Sequence, residues 1–169
     1  MIICHSISGD PHYASHSNYN TRQEVLDSEG PISFDGVYTS VWKNRDILEG
    51  RGGILFPIAS VVGGDNTFDE GQPYAEFCTI SQLWELMEMG FEMGFHTKTH
   101  RDLTLLTDDE VMDEITHFGG LAPVYKHFAP PYGKYDDRII RLVKEAGYEN
   151  MWVLGNGDDS QFQRRRWHI

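Results

Sequence analysis

Apolar residues along the chain fall into short runs that are separated by polar, loop-forming segments. Six runs have the length and composition of buried strands: 1–7, 31–35, 53–59, 91–95, 126–129 and 151–154. Helical spacing of apolar residues predicts helices between several of these runs: 40–49, the segment after Ser81, the segment after Thr107, and 135–146. Strand and helix therefore alternate along most of the chain.

The predicted helices carry start and stop signals of their own. Ser81 can cap the helix that Gly90 ends, because a serine hydroxyl accepts from the first helical N–H groups and glycine tolerates the reversed backbone at a helix end. Thr107 and Glu110 match a capping box, in which each side chain accepts from the other residue's backbone N–H. Gly147 ends the last predicted helix.

This alternation favours a parallel sheet with helices packed outside it. An eight-stranded β/α barrel usually needs about 250 residues. The chain has 169, so we predict an α/β fold built as a shortened or distorted parallel β/α barrel, in one domain that spans residues 1–169. In such folds the functional residues lie at the carboxyl ends of the strands.

The charge balance excludes some classes of partner. Lysine and arginine total 14 against 26 acidic residues, a formal net charge of -12. Nucleic acid and anionic membranes would repel such a surface. The one basic run, residues 164–166, is typical of a solvated or ion-paired strand edge. No apolar stretch is long enough for a membrane span or a signal peptide. We therefore expect a cytoplasmic protein, or a secreted one if a leader was removed.

Three short motifs follow predicted strands. In the first, Ser-Phe-Asp-Gly, Asp35 ends an apolar run, although an aspartate before a glycine is usually a turn residue. In the second, His-Thr-Lys-Thr-His, His96 and His100 are four residues apart, so on a helical turn both imidazoles can reach one divalent ion. In the third, Phe-Ala-Pro-Pro-Tyr-Gly, two prolines fix a turn and direct the backbone N–H of Tyr132 above the strand.

Together these motifs resemble the polysaccharide deacetylase family. The stretches of sequence that show this resemblance are MIICHSIS, ISFDGVYTSVW, HTKTHRDLT and FAPPYGKYDDR followed by IIRLVKEAGY. The resemblance implies a metal-dependent hydrolase that removes acetyl groups from N-acetylated sugars or a polysaccharide. An acetylated carbohydrate is then the expected partner, and no nucleic acid or membrane span is expected.

The resemblance also implies roles for residues. His96 and His100 would bind a divalent metal, usually zinc, and Asp35 would act as general base on a water. The Tyr132 N–H would stabilise the oxyanion, and Pro131 and Tyr132 would contact the substrate. A protonated histidine would assist the leaving amine.

The first motif departs from the family pattern, which usually has two adjacent aspartates. Without a gap, Asp35 is the base and Gly36 replaces a metal-binding carboxylate. With a one-residue deletion, Asp35 becomes a metal ligand and the base is missing. Ala129 also stands where many members have an arginine that orients the base.

The general acid is the least defined residue. His168 is the one histidine after Tyr132 and is our candidate, with His5 as an alternative. The remaining histidines (12, 16, 117 and 127) have the sequence setting of loop or helix-surface residues.

Two other functions compete with the hydrolase. The first is a catalytically impaired, non-enzymatic carbohydrate-binding protein on the same fold. The second is a deacylase of another small acylated compound. The oligomeric state is left open by the sequence.

Overall fold

A computed structural model describes residues 1–4, 6–8, 19–68, 74–119, 126–154 and 162–168. Within them, seven strands form one sheet: β1 Ile2–Cys4, β4 Ile32–Gly36, β5 Gly53–Pro57, β6 Phe91–Met93, β7 His127–Phe128, β8 Asn150–Leu154 and β9 Gln163–His168. The strands are parallel and lie in the order β6-β5-β4-β1-β9-β8-β7. Two short strands, β2 Ser6–Ser8 and β3 Tyr19–Thr21, pair separately. The predicted α/β class with parallel strands is confirmed.

The described segments also contain five α-helices: α1 Arg22–Asp27, α2 Thr39–Lys43, α3 Ile80–Glu88, α4 Asp108–Thr116 and α5 Asp137–Glu145. The predicted capping box of Thr107 and Glu110 begins α4. The prediction of Ser81 as the cap of α3 is wrong by two residues. Thr79 takes that place because its hydroxyl accepts from the Gln82 N–H, while the Gln82 side chain accepts from the Thr79 N–H.

The predicted helix over 40–49 is interrupted in the structure. Helix α2 ends at Lys43, and a separate 3-10 turn covers Arg45–Leu48. The side chain of Asn44 lies at the break and donates to the Ser40 carbonyl at 2.7 Å and to the Ile7 carbonyl of β2 at 3.0 Å. The asparagine side chain thus ties the end of α2 to β2, which helical spacing alone does not reveal.

A backbone bridge links the two outermost strands of the sheet. Phe95, just after β6, pairs in parallel with Phe128 of β7. The Phe95 N–H donates to the His127 carbonyl at 2.9 Å, and the Ala129 N–H donates to the Phe95 carbonyl at 3.0 Å. The carboxyl ends of β6 and β7 are therefore held side by side.

Apolar side chains cover both faces of the sheet. Two large clusters, around Phe34 and Leu83 and around Phe128 and Leu142, join the strands to the helices. Phe56 of β5 and Ala129 belong to a smaller cluster on the other face. In the described part of the chain, no helix is long and apolar enough to cross a membrane.

Candidate active site

The three motifs meet at one edge of the sheet, because parallel strands all end on the same side. Asp35 is the fourth residue of β4. His96 follows the Phe95 bridge, and its N–H donates to the Pro57 carbonyl at the end of β5, at 3.0 Å. The Pro131–Gly133 turn follows β7. The sheet thus assembles a site from segments about a hundred residues apart in sequence.

Asp35 forms a buried ion pair with Arg166 of β9. The Arg166 Nη1 lies 2.5 Å from Asp35 Oδ1, and Nη2 lies 2.9 Å from Oδ2. The Asp35 side chain is 7% exposed and the Arg166 side chain is 1% exposed. The same guanidinium donates to Ser33 Oγ at 3.2 Å and lies over the Phe56 ring, 4.9 Å from its centre. A bidentate contact of this kind fixes the orientation of the carboxylate.

Arg166 is a residue of the candidate site that was not predicted from the sequence. The prediction for residues 164–166 was a solvated or ion-paired strand edge. For Arg166 the ion pair is confirmed, because it bonds Asp35, but the position at an edge is wrong, because Arg166 is buried and β9 lies between β1 and β8; Arg164 is exposed. Two features of the sequence could have indicated it. One is the absence of an arginine at Ala129, and the other is an arginine in a strand that must bury one face. Its contact with Asp35 follows from the pairing of β9 with β1, which itself pairs with β4.

The imidazole of His96 is buried and oriented by a backbone contact. Its Nδ1 lies 2.7 Å from the Ala129 carbonyl oxygen, which makes Nδ1 the donor and directs Nε2 as the ring nitrogen available to an ion. Burial lowers the pKa of His96, although nearby Asp35 opposes the shift. A neutral imidazole is the form that ligates metals.

His96 and His100 are neighbours, with ring centres 4.9 Å apart. The expected helical turn between them is wrong, because Thr97 and His100 have φ values of 71° and 62°. The Thr97 hydroxyl accepts from the His100 N–H at 3.0 Å and stabilises this tight loop. The imidazoles therefore converge through an irregular loop and not through helical spacing.

Glu114 of α4 anchors the same loop through hydrogen bonds to Lys98 and Thr99. Its carboxylate accepts from the Thr99 N–H at 2.8 Å and from the Thr99 hydroxyl, and its backbone carbonyl accepts from the Lys98 N–H at 2.8 Å. The Glu114 side chain is buried. A buried carboxylate so placed makes the loop conformation costly to change.

The third motif also has a reversed backbone. Tyr132 has a φ of 58°, and its ring, which is 57% exposed, lies 4.8 Å from the ring of His100. Lys134 bonds Asp102 at 2.7 Å and ties this turn to the tail of the histidine loop. The turn that contains the predicted substrate-binding residues Pro131 and Tyr132 thus lies beside His100, which the Tyr132 ring contacts.

Gly36 occupies a position with no room for a side chain. Its φ is 81°, and a Cβ there would lie 2.9 Å from Cε1 of Phe77. Phe77 is buried and stacks on Tyr38 with ring centres 4.4 Å apart. The absence of a second aspartate at position 36 therefore agrees with the local packing, since the Phe77 ring covers Gly36 and would meet any side chain there.

The described residues contain no group of three His, Cys, Asp or Glu side chains that could hold a metal ion. The pair of His96 and His100 fits a divalent ion with two imidazole ligands, while both oxygens of Asp35 are engaged by Arg166. Zinc sites in enzymes usually have three protein ligands, so this pair should bind the ion more weakly.

The candidate general acids stay predictions. The backbone of His168 lies in β9, paired with Ile3, but its side chain is outside the described parts of the structure, as are His5, His12 and His16. His117 is exposed at the end of α4, as predicted.

The expectation of a surface position for His127 is wrong. It is buried at the start of β7, where its Nδ1 accepts from the Trp152 indole N–H at 3.0 Å and its Nε2 lies 3.4 Å from Glu92. Burial lowers its pKa. A buried imidazole with these partners needs its neutral form, with the proton on Nε2.

Comparison by sequence identifies relatives over the middle of the chain. The family model described as polysaccharide deacetylase matches residues 65–151. Chitin deacetylase 1 of Cryptococcus neoformans is 31% identical over 91 residues, which cover 47% of this chain and 19% of that protein. Chitin deacetylase 1 of Saccharomyces cerevisiae is 31% identical over 85 residues, covering 43% and 26%. The matched segments thus span only 19% and 26% of these curated relatives' length.

Comparison by structure extends over nearly the whole chain. The Streptococcus pyogenes deacetylase PplD, solved in complex with acetate, superposes with a TM-score of 0.74 at 13% identity, covering 99% of this chain and 90% of that one. IcaB from Ammonifex degensii superposes with a TM-score of 0.72 at 18% identity, covering 98% and 90%. At such identities the likeness concerns the fold.

Proposed function

The chain belongs to the polysaccharide deacetylase family, and we propose that it is a metal-dependent hydrolase that removes acetyl groups from an N-acetylated sugar or polysaccharide. One observation carries the proposal. An oriented carboxylate, Asp35, and two converging imidazoles, His96 and His100, lie at the same edge of a parallel sheet. That combination offers a base and a metal-binding pair side by side.

We further infer that the sheet is a shortened β/α barrel. The bridge between Phe95 and Phe128 links the first and last strands of the sheet order, which is what barrel closure requires. The apolar cluster that Phe56 of β5 shares with Ala129 after β7 supports an enclosed inner face. The sheet of the described residues has seven strands, one fewer than the common eight-stranded barrel.

In the proposed reaction His96 and His100 hold the divalent ion, most simply zinc. His96 is prepared for this role by its Nδ1 contact with the Ala129 carbonyl, which leaves Nε2 for the ion. An ion bound there would acidify a neighbouring water and polarise the acetyl carbonyl. The remaining steps belong to side chains and backbone groups of the chain itself.

Asp35 serves as the general base that accepts a proton from the attacking water. Its bidentate contact with Arg166 supports this role over that of a metal ligand, because both oxygens already have a cationic partner. Arg166 is a positioning residue: its two hydrogen bonds hold the carboxylate oriented at the site. It supplies from β9 what the resemblance led us to expect at Ala129.

Backbone and histidine groups complete the proposal. The Tyr132 N–H donates to the oxyanion that forms on the acetyl carbon, since the turn of Pro131 and Tyr132 borders His100. A protonated histidine then donates to the leaving amine. His168, at the carboxyl end of β9, remains our candidate for this acid, with His5 as the alternative.

The test combines acetate release from acetylated chitooligosaccharides with metal analysis of the purified chain. We expect Asp35→Asn to abolish acetate release while leaving bound zinc nearly unchanged, and His100→Ala to lower both. His117→Ala and Asp109→Asn, which change exposed residues of the same types, should alter neither. Retained activity in Asp35→Asn would overturn the assignment of the base.

Three further outcomes separate the alternatives. Loss of zinc in Asp35→Asn would show that Asp35 is a ligand. Binding of the oligosaccharide without acetate release, at saturating zinc, would favour the non-enzymatic carbohydrate-binding protein. Acetate release from other small acylated compounds alone would favour the deacylase hypothesis.

A further inference from the structure

Two aromatic residues whose rings contact that of His100 are about half exposed. Phe68 is 43% exposed and its ring centre lies 6.0 Å from that of His100, in an edge-on arrangement at 64°. Tyr132 is 57% exposed and lies 4.8 Å away. His100 thus has an aromatic neighbour both from the segment that precedes α3 and from the turn after β7. Exposed rings beside a candidate site mark a binding surface more often than isolated ones do.

We propose that Phe68 and Tyr132 form a subsite that binds the pyranose ring of an acetylated hexosamine beside His100. Such a ring has apolar C–H faces that pack on flat aromatic surfaces, and hydroxyl groups at its rim that stay hydrated. The inference rests on the proposed function for the chemistry at His100, and it adds Phe68 as a residue that determines substrate binding.

Phe68 is held in place by other rings. It stacks on Phe77 with ring centres 6.2 Å apart and planes at 19°, and Phe77 stacks on Tyr38 at 4.4 Å and 20°. Phe77 is almost fully buried and also covers Gly36. The stack therefore runs from the end of β4 to the exposed ring, so that Phe68 does not need to be ordered by the ligand.

The backbone before Phe68 is anchored as well. Asn66 is buried, and its side-chain oxygen accepts from the Ala75 N–H at 2.8 Å, while its own N–H donates to the Ala75 carbonyl at 3.0 Å. The Phe77 N–H donates to the Gly64 carbonyl at 2.9 Å. These contacts fix the approach of the chain to Phe68.

The charge of the chain narrows the class of ligand. A net charge of -12 disfavours anionic ligands such as nucleotides or acidic polysaccharides. A neutral N-acetylhexosamine is not repelled, and the amine that deacetylation produces is cationic. The expected occupant is therefore a neutral or partly deacetylated aminosugar chain.

The experiment measures binding separately from turnover. Saturation-transfer NMR with tetra-N-acetylchitotetraose reports the dissociation constant before acetate appears, and acetate release reports KM and kcat. We expect Phe68→Ala to weaken binding and raise KM about tenfold with little change in kcat, the size of one lost aromatic stacking contact. Phe68→Trp should preserve binding, because it keeps a flat face.

Two further variants keep the test decisive. Phe68→Leu retains apolar volume but removes the flat face, and it should bind as weakly as Phe68→Ala; it replaces the alanine variant if that one has a lowered Tm. Tyr74→Ala removes a ring from the same segment that is 60% exposed, and it should bind like the unchanged chain. Unchanged binding and KM in both Phe68 variants would overturn the subsite.

The two proposals fail in different ways. Oligosaccharide binding that depends on Phe68 without acetate release would retain the subsite and overturn the hydrolase. Acetate release with an unchanged KM in Phe68→Ala would retain the hydrolase and overturn the subsite. Absence of both binding and release would overturn both.

Discussion

The two ends of the parallel sheet bury titratable groups in opposite ways. Near the carboxyl ends, Asp35 and Arg166 are buried as a charged pair with two hydrogen bonds between them. At the amino end, His127 is buried as a neutral ring between the Trp152 indole and the Glu92 carboxylate. The first arrangement keeps charge inside the protein, and the second avoids it.

This difference separates a buried group that serves the chemistry of a site from one that only fits the packing of the protein interior. A buried ion pair gains little stability over apolar residues of the same volume, because two charges must be desolvated. A neutral imidazole with a hydrogen-bond donor fits a protein interior at much lower cost. The charged pair of Asp35 and Arg166 is therefore better explained by the chemistry of the site than by folding stability.

Breaking the ion pair should have the largest effect. Arg166→Met leaves the Asp35 carboxylate buried without its partner and should lower the free energy of unfolding by about 3–5 kcal/mol. Acetate release should fall with it. Urea denaturation measures the first quantity. The double variant Asp35→Leu/Arg166→Met should recover most of the stability and none of the activity.

Arg164→Met is the matched control, because Arg164 lies in the same strand but is exposed. It should change stability by no more than about 0.5 kcal/mol. Equal effects of the two arginine substitutions would contradict the cost assigned to breaking the buried ion pair.

Substitution of Glu114 tests how far its hydrogen bonds stabilise the loop that carries His96 and His100. Glu114→Gln removes the charge from the hydrogen bonds to Thr99 and should cost about 1.5–3 kcal/mol of stability. Zinc affinity should also fall, because the loop loses its anchor. Asp113→Asn changes the neighbouring carboxylate of α4, whose Lys98 ion pair is half exposed, and should have little effect on either quantity.

Substitution of Gly36 should cost about as much stability as that of Glu114, and its effect has two separable parts. Gly36→Ala combines a positive φ with a close approach to Phe77 and should cost about 2–3 kcal/mol. Gly147 has a φ of 95°, and a Cβ added there would meet no heavy atom of the described residues within 4 Å. Gly147→Ala therefore isolates the backbone contribution, about 1 kcal/mol. Thermal unfolding of both variants measures the difference, and equal costs would contradict the role of Phe77.

His127 should give the smallest effect, visible as a dependence on pH. Burial lowers its pKa in the folded chain, so the unfolded chain binds more protons as the pH falls below the ordinary histidine value of 6.5. Stability should therefore decrease from about pH 7.5 to about pH 5.5. His96 contributes in the same direction, so the test is the difference between the unchanged chain and His127→Asn, which should have a flatter profile. His117→Asn should leave the profile as it is.

Local sequence determined the elements whose signals lie within a few residues. The strand at β4, the strand at β5 and the Thr107 capping box were predicted from apolar runs and from a pair of side chains three residues apart. The placement of Asp35 near the end of a strand, and of His96 and Tyr132 after strands, also followed from sequence. Their meeting at one edge then follows, because parallel strands end on one side. These features need no knowledge of distant contacts.

Only the tertiary structure decided the contacts that complete the site. Arg166 lies 131 residues from Asp35 in sequence. Its basic neighbours suggested a solvated or ion-paired edge, and only the pairing of β9 with β1 shows that its ion pair is buried beside β4. The conformation of the loop that carries His96 and His100 depends on Glu114, and the Phe77 ring leaves no space for a side chain at Gly36. In each case a long-range partner overrides a local preference, because desolvated charges, hydrogen bonds and ring packing exist only once the strands have assembled.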